Sequence, residues 1–356
     1  YRDEMKKEIP ELDAVVGIGS NGKICDIIRE ILLDKQAVCS YGAKTELSME
    51  GGRIISTEPF YAYIKIAEGC SNNCTYCAIP SIRGKYRSRR MEDIVKEARW
   101  LAENGVTELV VVAQDTTRYG EDIYGKSMLP ELLTALCEID GFKWIRTLYC
   151  YPERITDELL DVIAKEDKLV KYLDMPIQHC DKNILKRMNR HGDRETLTAL
   201  IKKIREKIPN VTLRTTLITG FPGETKEQFE ELCEFVKEIR FERLGCFAYS
   251  PEEGTPAEKF EDQVPLKDRE RRAEIIMEEQ MIISDSFNEA ALDSEVEVVC
   301  EGFDRYAECY YGRSQADAPE IDGKIFFLSE DKVRVGEYVK VKIDDTMDYD
   351  LIGSKM

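Results

Sequence analysis

Histidine and tryptophan are the scarcest residues in this 356-residue chain, with two of each. Two histidines, His179 and His191, argue against Cys-His or Ser-His-Asp nucleophilic machinery and against a zinc site built from two cysteines and two histidines. We therefore expect chemistry that does not depend on imidazole.

Long apolar runs are also missing. No stretch approaches the 18 or so apolar residues of a membrane-spanning helix, and no charged-then-apolar leader is present. We therefore expect no membrane partner and a reducing, cytoplasmic environment. The 12 cysteines are too sparse and too unevenly spaced for a disulfide scaffold.

Basic residues are in the minority. The chain has 51 Lys and Arg against 69 Asp and Glu, a net charge of −18, and 43% of its residues are hydrophobic. This balance argues against disorder and against general nucleic-acid binding. Residues 291–356 alone contain 16 acidic and 8 basic residues, a net charge of −8. That excess favours a basic protein partner over RNA, although acidity that only aids solubility is the alternative.

The middle of the chain alternates strand patterns with helical periodicity. Strands rich in β-branched and aromatic residues are predicted at 61–66, 108–112, 144–149, 172–176, 212–218 and 244–249. Helices are predicted at 91–104, 130–139, 156–165, 194–207 and 225–239. Six strand-helix units predict an α/β fold with a parallel sheet, either doubly wound or curled into an open barrel.

The two ends of the chain differ from this middle. Residues 1–50 predict one strand at 14–18 and one helix at 23–33, too little to fold alone. A charged helix at 266–291 precedes strand-like runs at 296–300, 324–328 and 338–343, which predict a small antiparallel β-barrel. We therefore predict three parts, at 1–50, 56–286 and 287–356.

Three cysteines form a cluster directly after the first strand of the repeat. Cys70, Cys74 and Cys77 have Cys-x3-Cys-x2-Cys spacing. Three thiolates on one loop can hold three irons of a 4Fe-4S cluster and leave the fourth iron open, as a catalytic site requires. The alternative is a structural zinc site completed by a distant Cys or His.

Polar motifs follow other strands of the repeat. Residues 114–117 follow the second strand, Gln178 and His179 the fourth, and the Gly-Phe-Pro-Gly-Glu motif from Gly220 to Glu224 the fifth. In a strand-helix barrel the carboxyl ends of the strands meet on one face, where the active site lies. The last motif could equally be a simple connection, and His179 a structural histidine.

The cysteine motif, with Tyr76 at its aromatic position, resembles the signature of the radical S-adenosylmethionine enzymes. The resemblance implies a partial (β/α)6 barrel in which Cys70, Cys74 and Cys77 bind a 4Fe-4S cluster whose open iron chelates S-adenosylmethionine. It also implies that Tyr76, Gln114, Gln178 and Gly220 lie at the cofactor pocket. The difficult chemistry would then belong to the cofactors.

A narrower resemblance is carried by the segments 80–84, 175–190, 215–225 and 312–323. They are similar to the methylthiotransferases of this superfamily, and within them to the branch that modifies the β-carbon of an aspartate in the twelfth small-subunit ribosomal protein. The resemblance implies a C-terminal TRAM barrel, a ribosomal protein or the ribosome as partner, and an electron donor. A tRNA methylthiotransferase and a non-catalytic, zinc-stabilised ribosome-binding module are the alternatives.

The family also has an N-terminal domain with three further cysteines for a second 4Fe-4S cluster. Residues 1–50 resemble only the end of that domain, and Cys25 and Cys39 do not match its motifs. We therefore expect a truncated chain without ligands for a second cluster, able to cleave S-adenosylmethionine but not to transfer the methylthio group.

The stretch 82–90 carries five basic residues and no acid. Because it follows the cysteine loop, it predicts an electropositive rim that receives a carboxylate of the cofactor or substrate. A solvated, charged loop is the alternative.

Overall fold

The computed structural model describes residues 1–34, 38–56 and 58–356. The N-terminal part contains α1 (Arg2–Glu8), β1 (Ala14–Val16), α2 (Ile24–Asp34) and β2 (Val38–Ser40). The predicted strand and helix are confirmed, but β1 also has a parallel partner, β2, that the pattern did not predict. Among the described residues, no helix has the length and apolarity needed to cross a bilayer.

The six predicted strands and five predicted helices of the middle part are all confirmed to within a few residues. The strands are β3 (Tyr61–Lys65), β6 (Glu108–Val112), β7 (Trp144–Thr147), β8 (Tyr172–Asp174), β9 (Thr212–Thr219) and β10 (Arg243–Ala248). The helices are α4 (Met91–Glu103), α6 (Leu129–Cys137), α7 (Asp157–Lys165), α9 (Arg194–Lys207) and α10 (Lys226–Ile239). Thr156, Asp193 and Thr225 cap the last three with their side chains.

Short elements that the sequence pattern did not predict lie between them. They are β4 (Ala67–Glu68), α3 (Ile79–Arg83), β5 (Arg87–Ser88), α5 (Glu121–Tyr124) and α8 (Lys182–Arg187). The charged helix is confirmed as α11 (Leu266–Ala290), and it packs on β9, β10 and α10.

The six long strands form an open barrel. β3, β6 and β7 pair in parallel, as do β8, β9 and β10. One parallel bridge, between Ile145 and Leu169, joins the two halves. No ladder joins β3 to β10 within the described ranges, so the strands run in the order β3-β6-β7-β8-β9-β10 without closing. This decides between the two predicted architectures in favour of the partial barrel.

Side chains alternate between the two faces of this barrel. On β3, Ala62 and Ile64 are buried in the core that the surrounding helices cover. Tyr61 instead packs inside the barrel, with Val110 of β6 and Trp144 of β7. Tyr63 packs against the same interior cluster.

The C-terminal part is a closed five-stranded barrel. It consists of β11 (Glu295–Asp304), β12 (Cys309–Arg313), β13 (Ile325–Leu328), β14 (Tyr338–Met347) and β15 (Asp350–Lys355). The three predicted strands correspond to β11, β13 and β14. Two were missed, and the expectation of an antiparallel barrel is wrong for one pair, because β13 and β15 run parallel. The parallel pair is possible because β14 lies between β13 and β15 in sequence but pairs with β11 and β15 rather than with β13.

We call residues 314–323 the plug, because they contact side chains from the interior of the open barrel. The guanidinium of Arg146 donates to the carbonyl of Gln315 at 2.9 Å, and that of Arg243 donates to Asp317 at 2.7 Å. The hydroxyl of Tyr172 donates to Asp322 at 2.6 Å. The plug therefore fills the barrel from the side of the small domain.

Buried ion pairs hold the two domains together. Glu108 of β6 accepts from Arg146 at 3.1 Å and from Arg313 of β12 at 2.5 Å, and all three side chains are at most 2% exposed. Arg313 also reaches Glu301 at 2.5 Å. Charges this deeply buried are tolerated only when each is paired.

We predict that Arg313→Met lowers the free energy of unfolding by about 3 to 5 kcal/mol, because Glu108 and Glu301 lose a buried partner. Urea unfolding followed by circular dichroism measures this. Lys126→Met is the control, because the Lys126–Glu131 pair is exposed, and it should change the stability by less than about 1 kcal/mol. Equal effects of the two substitutions would contradict the prediction.

Candidate active site

The three clustered cysteines lie on a loop above the carboxyl end of β3. The loop begins after β4, which pairs with β5 in the antiparallel sense. Gly69 has a φ of +74°, and a Cβ on it would lie 2.4 Å from the carbonyl oxygen of Lys85. The amide of Cys70 donates to the carbonyl of Gly84 at 3.1 Å. The close backbone approach at Gly69 thus fixes the start of the loop.

The far side of the loop is held by the region after β8. The amide of Thr75 donates to the carbonyl of Met188 at 3.1 Å. The hydroxyl of Thr75 donates to the carbonyl of Arg187 at 2.8 Å. The side-chain amide of Asn189 donates to the carbonyls of Asn72 and Asn73, each at 3.1 Å. Both ends of the cysteine loop are therefore anchored by backbone contacts rather than by the thiols.

The thiols themselves are free and partly shielded from water. Cys74 is buried, and Cys70 and Cys77 are half-buried. Burial raises the pKa of the Cys70 and Cys77 thiols, so each would have to lose a proton to bind iron as a thiolate. The sulfur of Cys74 lies 3.7 Å from the hydroxyl of Tyr151. Three soft donors on one anchored loop fit a 4Fe-4S cluster.

Within the described residues, no three His, Cys, Asp or Glu side chains converge closely enough to bind a single metal ion. A cubane cluster makes a different demand, because each thiolate binds its own iron. The three thiols of the cysteine loop supply the three protein donors that such a cluster takes.

Tyr76 lies in an aromatic and cationic environment behind the loop. Its ring makes an edge contact with Phe221, with 6.5 Å between centroids. Arg190 is buried, stacks at 4.0 Å over the Tyr151 ring and donates to the carbonyl of Pro176 at 2.7 Å. Burial, the main cause, raises the pKa of Tyr76 well above its usual range, although the charge of Arg190 opposes it. Tyr76 is therefore a neutral side chain.

The motif after β6 meets the cysteine loop. Asp115 is fully buried, and its carboxylate accepts from the side-chain amide of Asn72 at 2.9 Å and from Thr117 at 2.5 Å. Its carbonyl accepts from the hydroxyl of Tyr86 at 2.9 Å. Gln114 is exposed to the barrel interior, where it lines a cavity. Asp115 thus supports the loop, and Gln114 is the member of this motif that is free to meet a ligand.

The motifs after β8 and β9 contact each other. Gln178 is buried with a φ of +70°, and its backbone pairs with β9. His179 is fully buried; its Nδ1 accepts from the amide of Asp181 at 2.9 Å, and its Nε2 lies 3.6 Å from Glu224. Complete burial and the hydrogen bond at Nδ1 favour a structural role for His179.

Gly220 packs closely against α11. It has a φ of +67°, and a Cβ on it would lie 2.2 Å from Cγ of Arg269. Its amide donates to Glu224 at 2.9 Å, and Glu224 accepts from Arg272 at 2.6 Å. The glycine is therefore required by packing, independently of any cofactor contact.

These contacts confirm that the four predicted motifs meet at one end of the barrel. The loop touches the β6 motif through Asn72 and Asp115. It touches the β9 motif through Tyr76 and Phe221. The β8 and β9 motifs touch through His179 and Glu224.

A cavity of about 410 Å³ lies inside the barrel, next to the residues that lead into the cysteine loop. Its lining is part polar and part apolar, and the plug contributes Ile321 to it. Its lining residues are Tyr63, Lys65, Ala67, Glu68, Val112, Ala113, Gln114, Leu148, Tyr149 and Ile321. Its volume is within the range of small-ligand sites.

The prediction of an electropositive rim at 82–90 is wrong in part. Arg89 is buried and pairs with Glu50 at 2.6 Å and Glu97 at 2.7 Å. Arg87 donates to the carbonyl of Lys44 at 2.7 Å. The stretch has no acid of its own, but the fold brings acids from other segments to it. Arg83 remains near the site and reaches Glu68 at 3.3 Å.

The sequence patterns missed two contributors to this site, Lys65 and the plug. The strand pattern at 61–66 gives Lys65 no role, and the plug carries a motif similar to the family but no sign of its contacts. A signal was present: Arg146, Asp174 and Arg214 are charged residues within apolar strands, and buried charges require partners. The sequence does not show which residues pair with these three charges.

We predict that Gly69→Ala reduces the iron bound per chain after anaerobic reconstitution, because the new Cβ would displace the start of the cysteine loop. Gly105→Ala is the matched control: Gly105 also has a positive φ, +91°, but a Cβ there meets nothing within 4 Å. Both substitutions carry a backbone strain of about 1 to 2 kcal/mol, and only Gly69→Ala should lose iron. Iron retention in Gly69→Ala would contradict this account of the loop.

Two family models match parts of this chain. Residues 64–236 match the family model of the radical SAM superfamily, and residues 294–355 match that of the TRAM domain. Among solved structures, coproporphyrinogen III oxidase (HemN) from Escherichia coli, a radical SAM enzyme, has a TM-score of 0.47 at 21% identity, over 65% of this chain and 54% of its own.

The curated relatives are closer. The ribosomal protein uS12 methylthiotransferase RimO of Clostridioides difficile strain 630 is 50% identical over 353 residues, and that of Clostridium tetani strain Massachusetts / E88 is 48% identical over 355 residues. Each alignment covers 99% of this chain and 79% of the relative. The chain belongs to the RimO family of radical S-adenosylmethionine methylthiotransferases.

Proposed function

We propose that this protein adds a methylthio group to the β-carbon of an aspartate in ribosomal protein uS12. The observation that carries the proposal is near-complete alignment, at about half identity, to relatives named for that activity. The anchored cysteine loop next to an interior cavity provides a place for radical chemistry on a bound side chain. An unactivated carbon offers no acidic proton, so a site without a free imidazole suits the reaction.

Cys70, Cys74 and Cys77 would hold the cluster, and its open iron would bind S-adenosylmethionine. When bound, the two cofactors supply the radical chemistry that breaks a C–H bond. The chain's own contribution is position and shielding. Gln114 reaches the cavity, and Tyr76 lies behind the loop, so these two are the better supported of the four proposed cofactor contacts. Gln178 and Gly220 have structural constraints that already explain their positions.

We also propose that these 356 residues hold one of the two clusters that the reaction uses, because their other cysteines form no matching motif. Methylthio transfer would require the second cluster as well, so these residues alone would cleave S-adenosylmethionine without completing the transfer. Cys25 and Cys39 are exposed, on separate elements of the N-terminal part. A reductant outside the chain must supply the electron, so an electron-transfer protein is the second proposed partner.

The acidic C-terminal barrel supports a protein substrate. Its net charge of −8 over residues 291–356 suits a ribosomal protein, because such proteins are basic as a class. A tRNA substrate would instead favour a basic surface for its phosphates. Mass spectrometry of ribosomal proteins and tRNA from cells lacking the gene tests this: uS12 should lose the mass of one methylthio group and tRNA should be unchanged. Loss from tRNA alone would overturn the proposal.

We predict that replacing any one of Cys70, Cys74 and Cys77 by serine abolishes the brown colour of the reconstituted chain and its reductive cleavage of S-adenosylmethionine, because each thiolate holds one iron. Cys25→Ser is the control and should keep the about four irons of one cluster. Iron analysis and the yield of 5′-deoxyadenosine are the measurements. About eight irons per wild-type chain, or iron loss in Cys25→Ser, would contradict the assignment of a single cluster.

A further inference from the structure

One lysine, Lys65, lines the interior cavity. It is the last residue of β3, and alternation along the strand turns it into the barrel together with Tyr63. Its side chain is about half exposed, at 49%. Tyr63 and Tyr149 contribute hydroxyl groups to the cavity lining and Gln114 contributes an amide, and most of the other lining residues are apolar.

Lys65 belongs to a group of three charges with an excess of positive charge. Its Nζ lies 2.6 Å from a carboxylate oxygen of Glu68, and Arg83 lies 3.3 Å from the same oxygen. Glu68 is 2% exposed and also accepts from the amide of Gly69 at 3.0 Å. Two cations around one carboxylate leave a net charge of +1.

This excess charge lies at the cavity, because Lys65 is one of the residues that line it. The Lys65 ammonium has three donors, and Glu68 uses one of them. A carboxylate that enters the cavity can therefore take the others. Val112, Leu148 and Ile321 of the lining are apolar, so Lys65 is the cation among the lining residues that can attract such a carboxylate.

We propose that Lys65 binds the side-chain carboxylate of the substrate aspartate and so positions its β-carbon near the cysteine loop. This inference rests on the proposed function, because it takes the aspartate from there. The carboxylate carbon is bonded directly to the β-carbon, so holding the carboxylate fixes the carbon that reacts. Lys65 is a positioning and specificity residue: it selects a carboxylate over the isosteric amide of asparagine.

The test is a double-mutant cycle on binding. The anaerobically reconstituted chain, with S-adenosylmethionine present, is titrated with two fluorescent peptides that span the target loop of uS12, one with the aspartate and one with asparagine in its place. The wild type should bind the aspartate peptide about tenfold or more tightly, as expected for a hydrogen bond to a charged group. In Lys65→Met the ratio should fall to about one.

Two further variants sharpen the cycle. Lys65→Arg keeps the positive charge and should restore most of the preference for aspartate. Lys126→Met removes a lysine whose partner, Glu131, lies on the surface, and it should keep the wild-type ratio. If Lys65 had a purely structural role, Lys65→Met would lower the affinity for both peptides equally and leave the ratio of the two affinities unchanged.

The possible failures are distinguishable. If wild type binds both peptides with equal affinity, or if Lys65→Met keeps the wild-type ratio, the role of Lys65 is wrong while the proposed function stands. If wild type binds neither peptide, the proposed protein substrate is contradicted, and the role of Lys65 is overturned with it.

Discussion

The six parallel strands form an open barrel, and the interior of this barrel must be packed with side chains. Here buried ion pairs occupy part of that interior. Glu108 is shared by Arg146 of the open barrel and Arg313 of the small barrel. Desolvating three charges is costly, and their mutual attraction compensates only while all three are in place. The position of the C-terminal barrel is therefore specified by charge pairing, which tolerates a register shift less readily than an apolar contact would.

The shape of the active-site cavity follows from this pairing. Arg243 holds Asp317, and Tyr172 holds Asp322, so the plug between them is fixed at both ends. Ile321 lies between these two anchors in the sequence, and its side chain lines the cavity. The C-terminal part thus contributes in two ways. Its plug lines the cavity, and its residues are predominantly acidic. A partner bound to those acidic residues would lie on the same domain that shapes the cavity.

The sequence predicted the elements well because their signals are local. Apolar and β-branched runs marked the six long strands, and α9 was predicted at its exact bounds from its helical periodicity. The cysteine loop was found for the same reason, since its donors lie within eight residues. The plug was not found, because Arg146 and Gln315 are 169 positions apart. The rim at 82–90 was overestimated for the same physical reason: Glu50, which neutralises Arg89, lies 39 positions away.

Glu68 connects the chemistry of the loop with that of the cavity. Its buried carboxylate accepts from the amide of Gly69, where the cysteine loop begins, and from Lys65 at the end of β3. The same carboxylate thus orients both the backbone that leads to Cys70 and the ammonium that faces the cavity. A radical reaction needs little acid-base help from the protein but depends on short, fixed distances. Because one buried group contacts both, the distance from the loop to the bound substrate is set at the carboxyl end of β3.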